Sequence, residues 1–209
     1  MKILVTGFEP FHKEIINPSS MILTKLPSTI KKHEIICCTL PVDLSCLNMI
    51  KDHINKIEPD AVLSLGQAAG RSAISVERIG INLDDFSIED NKGNKIEDTK
   101  IMIDGPDAYF SNLPVKKMVE FIRNKGIPAY VSNSAGTYIC NHILYGVRHI
   151  LKQKGKQQKS GFIHVPMLPE QAIHHSNMPS MSLEMMVEGV IAAIEAIISE
   201  EEICMKDMR

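Results

Sequence analysis

The chain opens on an unbroken apolar run at 2–6, K-I-L-V-T, that neither alternates nor follows a helical spacing. A short run of that kind predicts a strand covered on both faces. Similar runs recur at 33–40, 61–65, 127–131 and 160–165. The stretch 74–83, I-S-V-E-R-I-G-I-N-L, is rich in β-branched residues and partly alternating, so it also predicts a strand. Between these runs the apolar spacing changes to three and four. Asn17-Pro18 reads as a cap and first helical residue for a short helix to Leu26. Leu47, Ile50, Ile54 and Ile57 mark a helix over 44–57, and Pro114 opens another that ends at Gly126. A further helix starts near Thr137, with Ile139, Ile143, Leu144 and Val147 on one side. Ser182 caps the last helix, whose apolar face runs from Leu183 through Met186, Val190 and Ile194 to Ile198.

Strands and helices alternate almost throughout, which predicts one α/β domain over 1–209. The expected form is a three-layer α/β/α open sandwich around a mainly parallel, twisted sheet. The interruption at 86–103 predicts one hairpin excursion about the turn signal Asn91-Lys92-Gly93-Asn94. Sites in such sheets gather beyond the carboxyl ends of the strands. The loops after Thr6, Leu65, Val131 and Val165 are therefore where chemistry is expected.

Composition narrows the function classes. The 209 residues are 44% hydrophobic and 23% charged, with a net charge of −2, and carry no basic cluster interleaved with aromatics. That excludes a nucleic-acid footprint. No apolar stretch approaches the roughly 18 residues of a membrane span, and the N-terminus lacks a signal-peptide core, so a cytoplasmic protein is expected. The cysteines at 37, 38, 46, 140 and 204 are odd in number and irregularly spaced, which argues against a disulfide framework or a zinc site. Cys37 and Cys38 are expected to pack in a strand, and Cys204 to be exposed near the chain end.

Cys140 stands apart by context. The small residues at 132–136 join a strand to a helix, and Cys140 falls in the first turn of that helix. Free N–H groups and the positive end of the helix dipole there favour a thiolate and suit an oxyanion. A buried cysteine used only for packing gives the same local pattern. A nucleophilic thiol needs a base, and the base needs an orienting group. Of eight histidines, His164 lies near a strand end between apolar residues, where a satisfied core histidine is the plainer reading. His142 is expected to point away from Cys140, and His174-His175 lacks a third ligand for a metal. Glu77 sits inside a β-rich run, either paired with Arg71 or Arg78 or orienting an imidazole. Phe8 and Phe11, in the loop after the first strand, either staple that loop or wall an apolar pocket.

Taken together, seven stretches resemble the pyrrolidone-carboxylate peptidases, the pyroglutamyl-peptidase I family of cysteine peptidases. They are G-F-E-P-F at 7–11, N-P-S at 17–19, G-Q-A-A-G-R at 66–71, V-E-R-I-G-I-N at 76–82, D-G-P-D-A-Y-F at 104–110, S-A-G-T-Y-I-C-N-H at 134–142 and F-I-H-V-P at 162–166. The resemblance covers the whole chain in order. It implies Cys140 as nucleophile, His164 as general base and Glu77 as the carboxylate orienting it. It further implies a substrate pocket of Phe8, Phe11, Gln67, Ile88, Tyr138 and Ile139. The implied reaction removes an N-terminal pyroglutamyl residue from small peptides, with no metal and no cofactor, in a homo-oligomer, tetramer or dimer. A lactam is flat and uncharged, and such a pocket would suit it better than an ammonium group.

Two places depart from the family pattern. His12 and Lys13 stand where two glycines are usual, and Ser87 stands where an arginine is usual, between Phe86 and Ile88. These departures keep a second reading open, a pyroglutamyl-binding homologue with weakened or no turnover. A phosphorylase- or nucleosidase-like enzyme is disfavoured, because no loop offers a phosphate cradle. Asp90 ranks behind Glu77 as the orienting carboxylate. The methionines at 178, 181, 185 and 186, with the apolar excursion, are the surfaces expected to meet a second copy.

Overall fold

The structure is a computed structural model that describes residues 1–155 and 158–207, with side chains described as far as Glu202. Cys204 therefore lies outside the described side chains. In chain order the elements are β1 (Lys2–Phe8), α1 (Pro18–Leu23), β2 (Thr29–Ile30), β3 (His33–Leu40), α2 (Cys46–Ile57), β4 (Ala61–Gln67), β5 (Ile74–Glu77) and β6 (Ile79–Ile81). They continue with β7 (Ala108–Phe110), α3 (Val115–Asn124), β8 (Ala129–Ser132), α4 (Ile139–Gln153), β9 (Lys159–Val165), α5 (Pro169–Ala172) and α6 (Leu183–Asp207). The α/β/α sandwich expected from the alternation is the observed fold.

The main sheet has the strand order β2-β3-β1-β4-β9-β5-β8. The most uniformly apolar runs, β1, β4 and β9, occupy its middle, where both faces are covered. Strand alternation then splits the interior in two. Ile3, Val5, Leu63, Leu65, Ile74, Val76, Ile163 and Val165 pack toward α1, α3 and α6. Leu4, Val62 and Phe162 pack on the opposite face, toward α2 and α4. Asn17 caps α1 as expected, its Oδ1 accepting the N–H of Ser19 at 3.0 Å. Ser182 likewise accepts the N–H of Met185 at 3.3 Å where α6 begins.

The sequence reading needs three corrections. First, 74–83 is not one strand. β5 ends at Glu77 in the main sheet, while β6 pairs with β7 in a separate two-stranded sheet. The break falls where a fully buried carboxylate binds partners off the ladder. Second, the excursion doubles back about 91–94 as expected, with Phe86 N donating to Ile96 O at 2.7 Å, but it is joined by single bonds and a bridge and not by continuous strands. Asp90 Oδ1 accepts the N–H groups of Lys92 and Asn94, each at 2.9 Å, and makes the tight turn. The extended pairing lies further out, at the bridge between Asp84 and Thr99 and in the β6–β7 ladder. Third, β5 runs antiparallel to β9 and parallel to β8. The loop after β8 thus leaves opposite to those after β1, β4 and β9. The chain must double back over the sheet between Asn133 and Tyr138 to start α4.

Candidate active site

That return places the start of α4 on the sheet face shared by Phe162 and His164. Gly66 of β4 and His164 of β9 are ladder partners. A Cβ on Gly66 would sit 2.8 Å from Cys140 Sγ and 2.8 Å from Phe162 Cζ. The missing side chain is therefore the space that the thiol occupies. Cys140 and His164 are brought to the same glycine, although 24 residues separate them. The N–H groups of Ile139, Cys140 and Asn141, in the first turn of α4, have no acceptor within the helix. Free N–H groups of this kind are what an oxyanion site requires.

Behind His164 stands Glu77, fully buried, with Oε1 2.8 Å from His164 Nδ1. The same oxygen accepts from Arg71 Nη1 at 2.6 Å. Arg71 also donates to Ser75 Oγ at 2.7 Å and, through Nη2, to Ser134 O at 3.1 Å. Both sequence readings of Glu77 thus hold together: it pairs with Arg71 and it touches the imidazole. Arg71 does more than the ion pairing its sequence position suggests. Its bond to the loop before α4 ties the acid to the segment that carries Cys140.

Charge follows from burial and these contacts. Burial alone would raise the Glu77 carboxyl, but the bond and charge of His164, then bonds from Ser132 and Arg71, bring it below its usual range. His164 is pushed down, chiefly by burial, with Arg71 adding to that and Glu77 opposing it. Burial pushes the Cys140 thiol up from 9.0 to about 12, helped by Glu77 and opposed by Arg71. A helix N-terminus is worth at most about 2 kcal/mol, roughly 1.5 pKa units. It opposes that rise, while burial favours the neutral forms of both the thiol and the imidazole. Burial of the sulfur thus works against the thiolate that the helix end favours.

Cys140 opens onto a small pocket lined by Phe8, Phe11, Asn17, Val42, Gln67, Tyr138 and Ile139. Five of the six expected pocket residues are among these. Ile88 is half-buried and not among the lining residues, and Ser87 beside it is exposed. It is Phe86 that reaches the pocket wall, edge-on to Tyr138 with ring centroids 4.8 Å apart. Asn17 and Val42 join the lining without having been expected there. The N-P-S stretch was the signal available for Asn17.

Gln67 supplies an unusual wall. The β1–β4 ladder ends at Thr6–Ser64, whereas the β4–β9 ladder runs on to Gln67–Val165. Ala68 N donates to Val165 O at 2.9 Å, so residues 66 and 68 turn their peptide groups toward β9. By alternation Gln67 turns its N–H and C=O the other way, into the gap that β1 has left. One donor and one acceptor of a single residue therefore face the pocket without a strand partner.

The other polar candidates have structural duties. His142 Nδ1 lies 2.7 Å from Asp84 Oδ2 inside the protein, and His175 pairs with Glu14 at 3.2 Å. Asp90 caps its own turn. Among the described residues no group of three His, Cys, Asp or Glu side chains is placed to hold a metal ion.

Comparison with known proteins settles the family. The family model for pyroglutamyl peptidase matches residues 1–200. The chain belongs to the pyroglutamyl peptidase family. It is 50% identical over 202 residues to a pyrrolidone-carboxylate peptidase of Thermosipho melanesiensis, covering 96% of this chain and 100% of that one. A Treponema denticola relative of the same name is 53% identical over 203 residues, 95% of this chain and 94% of its own. A crystal structure of pyrrolidone carboxyl peptidase from the hyperthermophile Pyrococcus furiosus superposes with a TM-score of 0.92 at 45% identity, over 96% of this chain and 99% of that one. Within the pyroglutamyl peptidase family the departure at 12–13 now has a geometry. His12 has φ +57°, in the left-handed region that glycine enters freely.

Proposed function

We propose that this protein is a cysteine exopeptidase that hydrolyses the amide bond after an N-terminal pyroglutamyl residue of small peptides. The observation that carries the reading is the pairing of Cys140, over Gly66, with a pocket whose wall exposes both peptide groups of Gln67. A lactam presents one N–H and one C=O side by side, and these match the C=O and N–H of Gln67 as a neighbouring strand would. Phe8, Phe11, Val42, Tyr138 and Ile139 then cover the faces of the ring. Proline lacks the carbonyl, and an ordinary N-terminus would bring an unpaired ammonium into an apolar recess. A site built to hydrogen-bond a group typically rejects the analogue lacking it by about 10⁴–10⁵.

In the reaction, His164 takes the thiol proton as the sulfur attacks the scissile carbonyl carbon. The oxyanion is held by the N–H groups that open α4, and Glu77 stabilises the imidazolium. Collapse breaks the C–N bond, and the proton passes from His164 to the leaving amine. Water, deprotonated by His164, then attacks the thioester. The thiol leaves with that proton, and free pyroglutamate is released. No step uses a metal or cofactor. The reading of a homologue without turnover draws no support from Ser87, which is exposed and not among the pocket-lining residues.

The test is release of a coumarin amine from pyroglutamyl and prolyl amides. Activity on the first only, lost in a folded Cys140→Ala variant and on thiol alkylation, is the expected result. Turnover by the alanine variant at more than a few per cent would remove Cys140 from its role. Cytoplasmic residence is part of the same reading, supported by free thiols at Cys37, Cys38 and Cys46. So is self-association as a dimer or tetramer, supported by Ile103 and Phe110, 85% and 67% exposed. Of the four methionines, Met181 and Met186 belong to the core and only Met178 and Met185 are available.

A further inference from the structure

Behind the pocket, one side chain ties its two walls together. Gln171, the third residue of α5, is 2% exposed. Its Oε1 accepts the N–H of Leu168 at 3.0 Å, and its Nε2 donates to Ile16 O at 3.3 Å. A backbone N–H can only donate and a backbone C=O only accept, so the amide has a single orientation. The same Nε2 donates to Glu14 Oε2 at 2.9 Å and to Gln67 Oε1 at 3.2 Å. Two N–H bonds thus serve three acceptors.

Those acceptors belong to opposite sides of the pocket. Glu14 and Ile16 lie in the segment that carries Phe11 and Asn17 to one wall, and Glu14 N donates to Phe11 O at 3.2 Å. Gln67 forms the other wall. Along β4, Leu63 and Leu65 point into the core under α1, α3 and α6, so the Gln67 side chain leaves on that face. Its peptide groups remain free for the pocket. Gln171 therefore grips Gln67 from the side away from Cys140, and grips the 14–16 segment with the same nitrogen.

We propose that Gln171 is a positioning residue that fixes the gap between segment 11–17 and the end of β4, and with it the hold on a flat lactam. The proposal rests on the pyroglutamyl reading above. Gln171 touches neither the thiol nor the imidazole, so it acts on the gap and not on the chemistry. Loosening the gap weakens ground state and transition state alike, which appears in KM with kcat preserved. The bond to the Glu14 carboxylate is the charge-assisted one of the three. His175, beyond α5, adds a second tie to the other Glu14 oxygen at 3.2 Å.

The experiment compares the full-length wild type with Gln171→Ala, Gln171→Glu and the exchange Glu14→Gln/Gln171→Glu, each checked for a cooperative thermal transition. The readouts are kcat and KM on a pyroglutamyl coumarin amide and, independently, the Kd of free pyroglutamate by calorimetry. Gln171→Ala should raise KM and Kd together by about tenfold, with kcat within about twofold. Gln171→Glu should be worse, because two carboxylates then face each other. The exchange should recover part of the loss: the amide introduced at position 14 donates to the carboxylate introduced at position 171, and Gln67 can turn its own amide to do the same, while Ile16 O stays without its donor. Unchanged KM and Kd in folded Gln171→Ala would overturn the proposal. So would a fall confined to kcat, or an exchange variant no better than Gln171→Glu. A wild type that binds pyroglutamate without cleaving the amide would defeat the peptidase reading, and the calorimetric comparison would still decide the role of Gln171.

Discussion

Glu77 Oε1 and His164 Nδ1 lie 2.8 Å apart on antiparallel strands, diagonal to the ladder, in which Glu77 faces Phe162 and His164 faces Ser75. The contact joins residues 87 positions apart and leaves the far ring nitrogen of His164 free to act as base. Glu77→Gln would turn a carboxylate acceptor into an amide that favours the wrong tautomer. By analogy with the same change in serine-protease triads, kcat should fall by up to about 10⁴ with little change in KM. Steady-state kinetics on a folded variant decides it, and a loss under tenfold would mean Glu77 does not orient the base.

The environments of His164 and Cys140 predict the shape of the pH profile. His164 must be neutral to accept the thiol proton, and its folded pKa lies below the ordinary 6.5. Burial pushes the Cys140 thiol up to about 12. The plot of kcat/KM should therefore rise through a single acid limb below pH 6.5 and stay level into the alkaline range. A bell with an alkaline limb near the ordinary thiol range, about 8–9, would instead indicate a resting thiolate–imidazolium pair.

Stability should follow the same groups. His164 and Glu77 both have folded pKa values below their unfolded ones. The unfolded chain then binds more protons, so stability rises with pH across each window. The contribution of His164 is complete above about pH 6.5 and is lost as pH falls through its folded value. That of Glu77 follows below about pH 4.5. Thermal midpoints measured from pH 7 downward should decline from about 6.5, and a His164→Gln variant should show a shallower decline.

Gly66→Ala tests the close approach at the nucleophile. The new methyl would lie 2.8 Å from both the Cys140 sulfur and the Phe162 ring. Overpacking of this kind costs about 1–3 kcal/mol of stability. Displacing the sulfur by about 1 Å should lower kcat on the order of 10²-fold. Wild-type kinetics in this variant would show that Cys140 has room to spare.

His12→Gly tests the strained loop. A left-handed non-glycine residue costs about 1–2 kcal/mol, partly offset by the roughly 0.5–1 kcal/mol entropy of glycine. The variant should gain about 0.5–1 kcal/mol in denaturant unfolding. KM should stay near the wild-type value, since His12 is outside the pocket lining. A loss of stability would mean that the imidazole contributes more than its backbone costs.

Much of this protein was legible along the chain because the relevant physics is local. Unbroken apolar runs identify strands covered on both faces, and spacings of three and four identify the helices over them. Caps such as Asn17 and Ser182 are set by residues within a few positions. The motifs carried by resemblance named Cys140, His164 and Glu77 as residues that belong together, and five pocket residues besides.

Tertiary structure decided what depends on groups far apart in the chain. Strand direction was one such matter: nothing local distinguishes β5 running with β9 from β5 running against it, and the choice reverses the exit of the loop before α4. Charge was another. The helix position of Cys140 favours a thiolate, but the desolvation that opposes it comes from the sheet it is pressed against. The free peptide groups of Gln67 exist only because two ladders of the same strand end at different residues. Gln171 has no motif at all, since its role is set by Glu14, Ile16 and Gln67, all distant along the chain. Sequence determined which side chains are present and which segments can be helix or strand; long-range pairing and burial determined which of them meet, and in what state of charge.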